Sequence, residues 1–173
     1  MPPSDLLAPI LETYRFNSKL VALGLADLDP DHAVRRLKAG AGSSIAYLTG
    51  HLCSSRYGLL KTLGAAEDNP YQELFGLGAG SRDGSAYPPL PELAAGWDDT
   101  AARLHEALES VTDERARQPG AENLPTGDRT LRGQLAFIAW HESYHVGQIG
   151  LLRTEMGYPS LRQRLLASRG GST

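Results

Sequence analysis

Four stretches of this 173-residue chain carry apolar residues at three–four spacing, and almost none alternates with period two. That pattern commits the chain to long amphipathic helices and leaves no material for a sheet. The first predicted helix covers about residues 6–24, with Leu7, Ile10, Leu11, Tyr14, Val21 and Leu25 on its stripe and Asn17 interrupting it. The second covers about 44–63. Gly40-Ala41-Gly42 precedes it, Ser43 or Ser44 can cap it, and Ile45, Leu48, Leu52, Leu59 and Leu63 form its seam. The third opens at Pro91, suited to a first turn, and carries Leu93, Trp97, Ala101, Leu104, Leu108 and Val111. The fourth covers about 130–156 and stops at Gly157-Tyr158-Pro159. Shorter helices are expected at about 31–38 and 160–167.

Residues 64–89 break the pattern with five glycines and three prolines, and read as a long crossover loop, functional or a plain spacer. Four amphipathic helices, one crossover and no repeats give an all-α fold: an antiparallel four-helix bundle with the long loop between helices 2 and 3. One domain is expected over residues 1–173, its core in about 6–158, with a polar tail at 168–173.

Composition narrows the function. With 17 Lys and Arg against 20 Asp and Glu the net charge is −3, which offers no basic excess for phosphates and argues against nucleic acid. The first residues lack a secretory pattern and no apolar run spans a bilayer, so a cytoplasmic location is expected. The single cysteine, Cys53, has no intramolecular disulfide partner, and lies on a different face from His51, two residues before it.

The five histidines are the inventory that can carry chemistry. His141 and His145, four apart, share one face of the fourth helix. Their stripe, continued by Leu131, Leu135, Ile138, Gln148 and Leu152, is taken as the core-facing side. Two imidazoles there need partners, and a shared metal ion would supply one. His51, beside the Leu48–Leu52 seam with Gly50, Ser54 and Ser55 around it, can meet the pair if the second and fourth helices are neighbours. Alone it reads more readily as a satisfied core histidine. Three imidazoles would leave a divalent ion an open position. His32 and His105 are expected at the surface.

His141-Glu142-Ser143-Tyr144-His145 also satisfies the zinc-protease pattern H-E-x-x-H, with Glu142 as general base. The extended form fails, because Gln148 and Leu151 stand where a glycine and a third histidine belong. Glu142, about 100° around the helix from His141, is a candidate catalytic residue or a surface salt-bridge partner, the second being preferred. Gln148, about one turn past His145, is a candidate hydrogen-bonding support for the site or a helix–helix contact. Gly147 and Gly150 suggest close approach by another backbone or a ligand, and Arg153 is read mainly as a solvated arginine.

The segment from Phe137 to Arg153, with His141-x-x-x-His145-x-Gly147-Gln148, closely resembles the DinB-like family's last-helix motif. Ser44-Ile45-Ala46-Tyr47-Leu48-Thr49-Gly50-His51-Leu52 resembles its second-helix motif. The likeness spans roughly residues 6–158. It implies a metal-binding four-helix bundle, usually a homodimer, with zinc or nickel held by His51, His141 and His145. It further implies a metal-dependent transferase using a low-molecular-weight thiol, or a hydrolase, acting on a small-molecule substrate. A non-catalytic metal-binding protein and the H-E-x-x-H metalloprotease stand as alternatives.

Overall fold

The structure, a computed structural model, describes residues 4–37, 42–66 and 68–170. Among them are eight α-helices and no strand: α1 (Ala8–Leu25), α2 (Pro30–Val34), α3 (Ile45–Thr62), α4 (Gln72–Phe75), α5 (Leu90–Glu109), α6 (Asp113–Arg117), α7 (Leu131–Glu155) and α8 (Leu161–Gly170). The long helices start where local chemistry satisfies their first free N–H groups. Ser44 accepts from the Tyr47 amide at α3, Thr130 accepts from the Gly133 amide at α7, and Pro91 occupies the first turn of α5. α7 stops at Gly157, whose φ of +85° suits a residue without a side chain, and the Tyr158 amide closes back on the Arg153 carbonyl at 3.0 Å.

Helices α1, α3, α5 and α7 pack as a bundle in which α3 touches α5 and α7, and α1 touches α5 and α7. Two apolar clusters fill it, one holding Leu25, Ile45, Leu52, Trp97, Val146 and Ile149, the other Leu7, Tyr14, Leu60, Leu104, Leu131 and Leu135. The order in which each helix visits these clusters fixes its direction. α1 and α7 run from the second cluster to the first, whereas α3 and α5 run from the first to the second. Antiparallel packing therefore holds for α1 against α5 and for α3 against α7, while α3·α5 and α1·α7 are parallel neighbours. Parallel neighbours need a connection that travels the bundle's full length, which is why the chain between α3 and α5 is long.

Several expectations are corrected. The crossover carries α4 and a 3-10 turn at Gly84–Ala86, and α6 follows α5; helices of four or five residues are too short to show periodicity. α2 ends at Val34, before the expected boundary near 38. α8 runs through Gly170, so the expected tail at 168–173 begins as helix, its last three residues lying outside the described ones. The Gly40-Ala41 break and the first three residues also lie outside the described residues. No helix among the described residues is long and apolar enough to cross a membrane.

Candidate metal centre

α3 and α7 pack side by side, and this brings His51 of α3 against His141 and His145 of α7. Nε2 of His51 lies 3.2 Å from Nε2 of His141, which lies 3.0 Å from Nε2 of His145. Each residue offers one ligand atom, and the three atoms all fall within 4.8 Å of one another. All three residues are half-buried. Nitrogens on one tetrahedral ion, each about 2.0–2.1 Å from it, are separated by about 3.3 Å.

The far nitrogens decide the protonation. His51 Nδ1–H donates to the Phe75 carbonyl at 3.0 Å, and His145 Nδ1–H donates to Gln148 Oε1 at 2.6 Å. Both acceptors are carbonyl-type oxygens, so both Nδ1 atoms carry the proton and both Nε2 atoms present bare lone pairs. Those lone pairs face the single Nε2 of His141. One N–H there can satisfy only one of them, which leaves a lone pair against a nitrogen at about 3 Å unless a cation stands between. His141 Nδ1 is buried and finds no partner among the described residues. Burial, then the neighbouring His145 and His51, pushes the His141 pKa down to about 4. Burial lowers His145 as well, against the pull of its bond to Gln148. Neutral imidazoles with aligned Nε2 lone pairs are the form that ligates zinc or nickel, so the residues present fit a divalent transition metal.

Gln148 thus sits behind a candidate ligand, its amide Nε2 donating to the Tyr144 hydroxyl at 3.2 Å. Phe75 comes from α4 in the crossover, a partner that spacing on α3 and α7 could not reveal. The room for it is Gly50, where a Cβ would stand 2.5 Å from the Phe75 ring. Gly50, one of the small residues around His51, makes space for Phe75.

Glu142 is neither beside the imidazoles nor at the surface. It is 1% exposed and accepts from Arg56, itself 0% exposed, through Nε at 2.9 Å and Nη2 at 2.7 Å. The expected surface salt bridge is corrected to a buried, two-point one. Arg56 Nη2 also donates to Ser18 Oγ at 2.9 Å, and its guanidinium lies 3.7 Å over the Trp97 ring, whose Nε1 donates to the Ser18 carbonyl. One polar node therefore joins all four bundle helices at the seam between the two apolar clusters. Sequence reasoning missed Arg56, although a cation between Leu52 and Leu59 was a usable signal.

The face assignment on α7 changes with it. The buried side is Leu131, Leu135, Ala139, Glu142, Val146, Ile149 and Arg153, while His141, His145, Gln148, Leu152 and Ile138 are half-buried beside it. Arg153, expected in solvent, is buried, donating to the Gly24 carbonyl at 2.5 Å and pairing with Asp27 at 2.9 Å. Gly150 admits Leu161 of α8, 3.3 Å from where its Cβ would be, and none of the described residues comes within 4 Å of a Cβ at Gly147.

The remaining histidines stay apart from the centre, and both are half-buried where surface positions were expected. His32 Nδ1 lies 2.8 Å from the Tyr158 hydroxyl, and His105 Nε2 lies 3.4 Å from Ser18 Oγ. Cys53 is buried and free, its thiol pushed up to about 12 by burial, and it is no ligand.

Residues 13–149 match the family model of the DinB superfamily. No curated protein matches the chain.

Proposed function

The chain belongs to the DinB superfamily, and from that premise we propose a divalent-metal-dependent enzyme of small molecules, a thiol-dependent transferase or a hydrolase, with His51, His141 and His145 as the metal's ligands. The observation that carries the reading is the convergence of three Nε2 atoms, two of them stripped of a proton by Phe75 and Gln148 behind them. A bound zinc or nickel ion would supply Lewis acidity toward a thiol or an oxygen group of the substrate.

The chain's own residues do the positioning. The Phe75 carbonyl and Gln148 Oε1 hold the His51 and His145 rings in one tautomer and one orientation. The Arg56–Glu142 pair fixes the rotation of α7 against α3. Glu142 takes no part as a base in this proposal, since both its oxygens accept from Arg56; that also speaks against the H-E-x-x-H protease. The half-exposed imidazoles favour catalysis over a closed structural site, where protein ligands fill every position.

Metal analysis of protein purified without an affinity tag tests the proposal. About one divalent ion per chain is expected, lost in His51→Ala. The stripped chain should stay folded while turnover of an electrophile with a small thiol, or hydrolysis of a small ester, stops and returns on reloading. Absence of metal, or its retention in His51→Ala, overturns the site, and unfolding on stripping makes the ion structural.

A further inference from the structure

Each imidazole of the centre has an aromatic side chain against it. Tyr47 lies nearly parallel to His51, with centroids 5.9 Å apart and planes at 10°. Phe137 leans on His141 at 6.5 Å, and Tyr144 meets His145 edge-on at 5.1 Å. On the outer side of α7 the rings continue as a band. Phe137 stacks on Trp140 at 5.7 Å, and Trp140 stacks on Tyr144 at 6.0 Å. Trp140 and Tyr144 each directly precede a candidate ligand in sequence, so the band runs alongside the ligands turn by turn.

This band is not core. Trp140 is 61% exposed and Tyr144 54%, while every other long helix turns its large aromatic residues, Phe16 excepted, at least partly inward. An apolar surface held open to water beside a reactive centre has the composition of a ligand platform: flat, uncharged and already stacked. We infer that the molecule taken up at the metal centre carries a flat apolar group, an aryl ring or its equivalent, which lies along Trp140 and Tyr144 while its donor atom reaches the histidines. The inference rests on the metal reading above and adds the class of substrate.

Hydroxamates separate the two claims, because they share one metal-binding head and differ only in what is attached. Metal-loaded full-length chain is titrated with acetohydroxamate, benzohydroxamate and the cationic glycine hydroxamate, following tryptophan emission and heat. Benzohydroxamate should bind about tenfold more tightly than acetohydroxamate and change the Trp140 emission. In Trp140→Ala that preference should fall to within about twofold, with metal content and acetohydroxamate affinity retained, and Trp140→Phe should restore most of it. Equal affinities in the parent chain, or a preference that survives Trp140→Ala, overturn the inference alone. Preference for glycine hydroxamate overturns it in favour of a cation on the rings. A dimer that dissociates on Trp140→Ala, without any aryl preference, assigns the band to a second copy. Loss of metal from all forms removes the metal reading and this inference together.

Discussion

Two polar clusters lie between α3 and α7, and they differ in how their charges and lone pairs are matched. At one, Arg56 and Glu142 meet at two points, Ser18 accepts from the same guanidinium and the Trp97 face covers it, while Nη1 has no hydrogen-bond partner among the described residues. At the other, three Nε2 atoms converge with at least two bare lone pairs and at most one proton among them, half open to solvent. In the buried pair the opposite charges meet; its work is to specify how two helices fit. Converging lone pairs without matching protons are the arrangement that suits a cation. Adjacency in sequence thus says little about role: Glu142 and His141 are neighbours in the chain and belong to different clusters.

The largest expected effect tests the charge-paired cluster. Glu142→Leu alone leaves Arg56 buried and unpaired and should destabilise the chain by about 3–5 kcal/mol in urea unfolding. Adding Arg56→Met should recover most of that loss, because two apolar side chains replace two desolvated charges. If the double variant is as unstable as the single one, the node is more than an ion pair.

Next in size is the support of the histidine cluster. Gln148→Ala should weaken metal binding by about 10–100-fold in a chelator competition, while the melting temperature of the stripped chain stays where it was. A melting temperature that drops with it would make Gln148 a packing residue.

The smallest effect is the acid response of the stripped chain. His141 protonates in the folded state only near pH 4, against about 6.5 when unfolded. Between those values the unfolded chain binds more protons. Stability is therefore fully present above about 6.5 and declines as pH falls toward 4, with His145 acting in the same direction. The urea midpoint of the metal-free chain should fall between pH 7 and pH 5, and His141→Gln should flatten the fall. A midpoint that ignores His141→Gln would show that other groups set the response.

The long helices and the three histidines were legible because both are local signals: three–four spacing, caps, and a pair of imidazoles one turn apart. What misled was charge. Glu142 and Arg153 made the inner face of α7 look wet, and Ile138 and Leu152 made the histidine face look dry. The partners that permit those charges inside, Arg56 and Asp27, stand about 86 and 126 positions away in sequence, beyond the reach of any window along one helix. Helix direction was hidden for a similar reason. The crossover's length announced a long journey, but only the two apolar clusters show that it joins parallel helices.

The Phe75 carbonyl that holds His51 belongs to that crossover, seated in the notch left by Gly50. A stretch that looks like mere cabling between two helices is therefore wired into the centre. Exchanging it for a relative's loop, clipping it with a protease, or trimming it for crystallisation would release the His51 ring from its carbonyl without touching a single histidine.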